Sequence, residues 1–265
     1  MSDARHHRQR ILDEVGDAGQ QRLERASVAI VGLGGLGSPV ALYLAAAGVG
    51  RLGLIDDQQV ELSNLNRQIL YEDCDVGRPK VEAAAGRLLN LDSALRLDVR
   101  QESVRASNVA AMFAEYDVVV DGTDSFETKF LLNDAAVLLR KPLVHGAVLQ
   151  WGGQATTIVP DGPCLRCLFR EPPEPGDILT CEEAGIIGAA CGVVGSVLAE
   201  EALKLVLKAG TPLSGRIFQH DGLRGETRTT SFPRDPECPV CSPDARITDL
   251  ARYDEQVSPR GHVLA

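Results

Sequence analysis

Two pairs of thiols and a set of scattered charged residues carry the chemistry available to this chain of 265 residues. Cys164-Leu-Arg-Cys167 and Cys238-Pro-Val-Cys241 each put two sulfurs on one face of a turn. Together they supply the four soft ligands of a closed tetrahedral zinc site. A complete ligand set leaves no open position for substrate, so such a Zn²⁺ would be structural, tying a distant C-terminal segment back to the body of the protein. One redox-active C-x-x-C beside an unrelated pair is the alternative.

The second group begins with Gly32-x-Gly34-x-x-Gly37. This spacing describes a turn whose backbone packs against phosphates at a helix N-terminus, where unpaired amides and the helix dipole favour an anion. Asp56 ends the next apolar run, where a carboxylate accepts hydrogen bonds from ribose hydroxyls. NAD and ATP share that ribose. Arg67 follows in the polar stretch VELSNLNRQI, and Lys80 stands in the first turn of an expected helix. A cation there opposes the helix dipole at a cost of a few tenths of a kcal/mol, which a bound phosphate would reverse. Either charge also reads, alone, as a solvated surface residue. In DVVVDGTDS, Asp124 lies just past a strand end, where a carboxylate can hold Mg²⁺ beside phosphates. Asp124-x-x-Glu127 is equally a capping-box pattern. His145 and His220 read as structural or exposed.

The elements that must position these groups alternate between strand and helix. Short apolar, β-branched runs at 27–32, 51–56, 95–100, 117–122 and 142–148 read as buried strands. Helices are expected over about 39–47, 78–90 with Pro79 in the first turn, 107–114 and 125–139. The alternation gives an α/β fold, a doubly wound, Rossmann-like, mostly parallel sheet. Gly152-Gly153 between two β-rich runs marks a hairpin that adds antiparallel strands. Residues 169–185, rich in Pro, Gly and acids, read as an exposed loop containing Cys181, before a helix from about Cys191 to Gly210.

Bulk properties narrow the field. With 37 acidic against 27 basic residues, a formal charge of −10 argues against a phosphate-tracking surface for nucleic acid. The N-terminus MSDARHHRQR lacks an apolar signal core, and the longest apolar stretch, GAACGVVGSVLA, is too short to cross a bilayer. A cytoplasmic protein is expected. Seven cysteines without a secretion signal fit metal ligands and thiols better than disulfides.

In order, GLGGLG, LID, NLNRQ, GRPK, DGTDS, CLRC, LTCEEAG and CPVC resemble the ThiF/MoeB/HesA family, relatives of the ubiquitin-activating enzymes. The resemblance runs from about Arg8 to Cys241. It implies an enzyme, a nucleotidyltransferase that binds Mg²⁺ and ATP, adenylates the C-terminal glycine of a ubiquitin-like sulfur carrier ending in Gly-Gly, and releases pyrophosphate. By motif position, Gly35 belongs to the glycine turn, Asp56 to the ribose, Ser63, Asn64 and Arg67 to the phosphates, Lys80 to the α-phosphate, and Asp124 with Ser125 to Mg²⁺ and catalysis. Arg8 is implied to reach the partner subunit's ATP across a homodimer, and Cys181 to be a thiol acceptor for the activated carrier. The family usually has Asn where this chain has Ser125, and an aromatic residue where it has His6 and His7. Larger relatives append a rhodanese-like domain, so sulfur is expected from a separate sulfurtransferase. The implied organisation is one adenylation domain over 1–242: an N-terminal helical segment (1–26), a nucleotide-binding half (27–148) and a carrier- and zinc-binding half (149–242). A tail (243–265) follows. An NAD-dependent oxidoreductase and a catalytically inactive, zinc-stabilised binding module remain the alternatives.

Overall fold

The computed structural model describes residues 2–173 and 181–253; residues 174–180 of the acidic loop, the Cys181 side chain and residues 254–265 of the tail lie outside the described residues. One eight-stranded sheet organises the chain: β1 (Ser27–Val31), β2 (Arg51–Ile55), β3 (Arg96–Arg100), β4 (Val118–Asp121), β5 (Leu143–Leu149), β6 (Gly152–Ile158), β7 (Arg216–Asp221) and β8 (Glu226–Ser231). Its spatial order is β3-β2-β1-β4-β5-β6-β7-β8. The first five strands are parallel and the last three antiparallel, as the sequence implied.

Apolar residues pointing both ways make β1 a central strand. Val28 and Ile30 enter one core with Leu52, Leu54, Leu198 and Ala202, while Ala29 and Val31 enter the opposite core with Ile55, Phe113 and Leu132. That period-2 division is what helices covering both faces of a parallel sheet require. The longer helices are α1 (Gly16–Arg25), α2 (Gly37–Ala46), α3 (Lys80–Leu91), α4 (Ala106–Ala114), α5 (Phe126–Leu138) and α6 (Gly188–Leu207). Among the described residues no helix is long and apolar enough to cross a membrane.

Several boundaries differ from expectation. Pro79 is the N-cap of α3 rather than part of its first turn. The last helix starts at Gly188, before Cys191, and ends at Leu207, because Lys208 adopts the left-handed conformation (φ 55°) that terminates it ahead of Gly210. Gly152 and Gly153 lie inside β6, and the hairpin turn is made by Gln150, itself at φ 53°, with Trp151. A Cβ on Gly153 would stand 2.6 Å from the Ala147 carbonyl, so the glycine serves close strand approach instead of the turn. Cys181 opens the one-turn helix Cys181–Ala184. Beyond Cys241, Ile247 and Tyr253 pack into the same core as the thiols.

Candidate active site and metal centre

The glycine turn is formed by close backbone contact. A Cβ on Gly37 would lie 2.0 Å from the Gly32 carbonyl oxygen, and Gly32 (φ 84°) would clash with the backbone of Gly122 and Thr123 at 2.8 to 2.9 Å. The turns after β1 and β4 are therefore stacked, which brings Asp124 beside the glycine turn at the carboxyl ends of the parallel strands. Ligands of doubly wound sheets bind in this crevice. Gly35 packs on Cys191 of α6, 2.7 Å from its would-be Cβ, with Arg67 Cγ at 3.7 Å.

Asp56 serves this turn directly: its Oδ2 accepts from the Leu33 amide at 2.7 Å and its Oδ1 from the Gln58 amide at 2.9 Å. Each oxygen keeps a lone pair for a ribose hydroxyl. Burial pushes the Asp56 carboxyl up, and the Lys80 charge pulls against that rise. Lys80, first residue of α3, is only 3% exposed. Its ammonium donates to Gln58 Oε1 at 2.6 Å, and among the described residues it forms no ion pair. A buried ammonium lacking a bonded carboxylate is costly unless an anion arrives to meet it. Arg67, half-buried, donates to the Ser63 carbonyl at 2.8 Å and to Asn66 Oδ1 at 3.1 Å, which leaves further guanidinium donors. Asn64 is buried and closes a capping box with Glu61, while Ser63 is exposed on the same one-turn helix. The contacts thus join Gly35 to Arg67, Asp56 to the glycine turn, Lys80 to Asp56 through Gln58, and the turn before Asp124 to Gly32.

Ser125, and not Asp124, caps α5: its Oγ accepts from the Thr128 amide at 3.4 Å. Of the two sequence readings for Asp124, capping is therefore the one the fold does not use. Asp124 is exposed and makes no hydrogen bond or ion pair among the described residues. Arg8 is likewise exposed, on the short helix His7–Arg10, and is bonded to none of these residues within the single chain.

Sequence reasoning missed three groups. Tyr71 Oη donates to the Leu33 carbonyl at 2.9 Å, so the residue whose amide Asp56 holds is clamped on both sides. Gln68 is buried beside Gly34 with an unpartnered Oε1. Asp121, the last residue of β4, is fully buried with Lys129 and His145. Burial would raise the Asp121 carboxyl, but Lys129 and His145 hold it well below the usual carboxylate range. Burial lowers His145 and keeps it neutral. Its structural reading from sequence is thereby accounted for.

The four thiols of the two C-x-x-C pairs converge. All four sulfurs lie within 4.8 Å of one another, with Cys164–Cys238 at 3.6 Å and Cys167–Cys241 at 3.5 Å. A tetrahedral centre with metal–sulfur bonds of about 2.3 Å has sulfurs about 3.8 Å apart, so the residues fit zinc. Hydrogen bonding among the four thiols lowers Cys167 and Cys238 and raises Cys164 and Cys241, so the fit to a metal rests on the sulfur geometry. Beside the thiols, the fully buried Arg166 forks onto Asp134 of α5 at 2.8 and 3.0 Å and donates to Tyr253 Oη at 3.1 Å. This ties the four-thiol cluster to the helix that Ser125 caps.

A sequence profile of the ThiF family matches residues 6–240. The sulfur carrier protein adenylyltransferase of Thermus thermophilus is 46% identical over 256 residues, covering 94% of this chain and 94% of that protein. The SAMP-activating enzyme E1 of Haloferax volcanii is 47% identical over 237 residues, 89% of this chain and 88% of that one. The adenylyltransferase and sulfurtransferase MOCS3 of Anopheles gambiae is 44% identical over 95% of this chain, which spans only 58% of it. Among solved structures, E. coli MccB with succinimide superposes at a TM-score of 0.79 with 22% identity, over 91% of this chain and 74% of that one. At that identity the likeness concerns the fold.

Proposed function

The chain belongs to the ThiF family, and from that membership we propose that it is an ATP-dependent adenylyltransferase acting on the C-terminal glycine of a ubiquitin-like sulfur-carrier protein, with release of pyrophosphate. The observation that carries the reading is Lys80, a buried ammonium bonded, among the described residues, only to a neutral amide, beside the Asp56 that holds the Leu33 amide of the glycine turn. The names of the relatives favour adenylyl transfer over NAD chemistry and over an inactive binding module.

The reaction joins a carboxylate to an α-phosphorus and expels pyrophosphate, so anions gather and leave while negative charge builds on the phosphoryl oxygens. The nucleophile is ionised at neutral pH, and no general base is needed. Lys80 would neutralise the α-phosphate, Arg67 the outer phosphates from the rim, and Asn64 and Ser63 would add polar contacts. Asp56 would take the ribose while still holding the Leu33 amide, and the backbone of the turn at Gly35, which packs close on α6, would meet the phosphates. Asp124, with Ser125 beside it, would hold Mg²⁺, which when bound neutralises phosphate oxygens. Cys164, Cys167, Cys238 and Cys241 would hold a structural Zn²⁺. The active form is proposed to be a cytoplasmic homodimer in which Arg8 completes the partner's site, served by a separate sulfurtransferase. Cys181 would accept the activated carrier and be dispensable for adenylation.

Incubating the protein with ATP, Mg²⁺, pyrophosphatase and a Gly-Gly carrier from its own genome should give a carrier bearing one added AMP, read by mass spectrometry. NAD in place of ATP should give none. Unmodified carrier under both conditions, across all such carriers, would refute the proposal.

A further inference from the structure

Under the Asp124 turn lies a buried ionic cluster. Asp121 Oδ2 accepts from His145 Nδ1 at 2.7 Å. Lys129 Nζ lies 3.3 and 3.4 Å from the two carboxylate oxygens and donates to the Gly146 carbonyl at 2.7 Å. The remaining contacts of the carboxylate are local: Oδ1 accepts from the Thr123 amide at 3.0 Å and from Thr123 Oγ1 at 2.7 Å. Asp121 and His145 are at most 2% exposed, and Lys129 is 4% exposed.

A buried carboxylate needs donors, and Lys129 with His145 already supplies them from α5 and β5. What the cluster adds is a hold on Thr123, the residue before Asp124. That matters because Asp124 has no side-chain partner among the described residues, so its direction depends on the backbone at either side. On the far side Ser125 is fixed as the cap of α5. On the near side Gly122 is wedged against the glycine turn, a Cβ there standing 2.6 Å from the Gly32 carbonyl oxygen. Thr123 lies between these two points.

We propose that Asp121, braced by Lys129 and His145, is a positioning residue that aims Asp124 into the crevice, with Thr123 as the link. The inference rests on the reading of Asp124 as the Mg²⁺-holding carboxylate. Its logic is that of preorganisation: an exposed acidic side chain contributes to a phosphoryl-group reaction only if its backbone is fixed before the substrate arrives.

Thr123→Val removes the Oγ1 donor while keeping the shape and the amide, and Thr123→Ser restores it. Three readouts separate the outcomes: hydrogen exchange of the amides at 122–125 by mass spectrometry, the Mg²⁺ concentration giving half-maximal ATP–pyrophosphate exchange, and thermal unfolding. Loss of one hydrogen bond to a charged acceptor should make Thr123→Val exchange amides faster at 122–125, lower kcat about tenfold and raise the Mg²⁺ half-saturation. The ATP KM should stay within about twofold of wild type, and Thr123→Ser should match wild type. Asp121→Asn should move amide exchange, kcat and the Mg²⁺ half-saturation further in the same direction, and if thermal unfolding shows that it fails to fold, the Thr123 pair decides. Wild-type amide exchange and Mg²⁺ dependence in Thr123→Val would overturn the inference. Absence of pyrophosphate exchange in wild type itself would instead overturn the adenylation reading, and the amide exchange at 122–125 would then decide alone whether Asp121 positions the turn.

Discussion

Replacing Lys80 by Met should separate activity from stability. The side chain is 3% exposed, and its ammonium is bonded only to Gln58, whose amide is itself exposed and returns to water when the lysine is lost. Methionine fills similar volume and favours helix, and Asp56, which loses the Lys80 charge, keeps its two amide donors, so the unfolding free energy should fall by no more than about 1 kcal/mol. The loss in the reaction is larger. A unit charge about 4 Å from a phosphate oxygen interacts with about 4 kcal/mol at an effective dielectric near 20. Allowing for partial replacement by water and Mg²⁺, about 3 kcal/mol remains, or roughly a hundredfold in kcat/KM. Urea unfolding and steady-state adenylation, measured on one preparation, give both numbers. Lys80→Met retaining activity within about threefold of wild type would refute the assignment, and so would a loss of activity that merely tracks a collapse in stability.

Other expectations follow from the same geometry. The purified protein should hold about one zinc per chain, and Cys238→Ala should lose the metal and lower the unfolding temperature; metal analysis finding none in wild type would count against the four-thiolate site. His145 is held neutral below its ordinary pKa, so the unfolded chain takes up a proton that the native one refuses, and stability should fall as pH drops below about 6.5. His145→Asn, which keeps a donor toward Asp121, should flatten that fall in urea titrations at pH 5 to 7, and an unchanged slope would contradict it. Arg8→Ala and Asp124→Ala homodimers should both be nearly inactive, yet after subunit exchange about a quarter of wild-type activity should return, because half the dimers are mixed and each carries one intact site. No recovery despite proven exchange would place Arg8 outside the partner's site.

Much of this was legible because local pattern and fold agree. The run SVAIVG reads as a buried strand, and β1 occupies the sheet centre with alternate residues in two cores. The two C-x-x-C pairs announced a cluster that distance in sequence did not prevent. Less legible were features decided by packing. Ser125 rather than Asp124 caps α5, a choice between adjacent residues that both suit caps. Asp121 ends a strand as many aspartates do, and its partners, Lys129 and His145, come from two other elements. Arg166 looks like a spacer in Cys-Leu-Arg-Cys, yet it is among the largest fully buried side chains, paired with Asp134 and with Tyr253. Only the tertiary contacts show that Ile247 and Tyr253, beyond Cys241, belong to the core.

The most direct test of the central claim is isotope exchange. With Mg²⁺ and a carrier ending in Gly-Gly, reversible adenylation should move labelled pyrophosphate into ATP, and removal of the carrier's terminal glycine should abolish the exchange. NAD should neither support nor inhibit it. Tight NAD binding, together with no exchange in the presence of any Gly-Gly carrier from the same genome, would contradict the adenylyltransferase assignment.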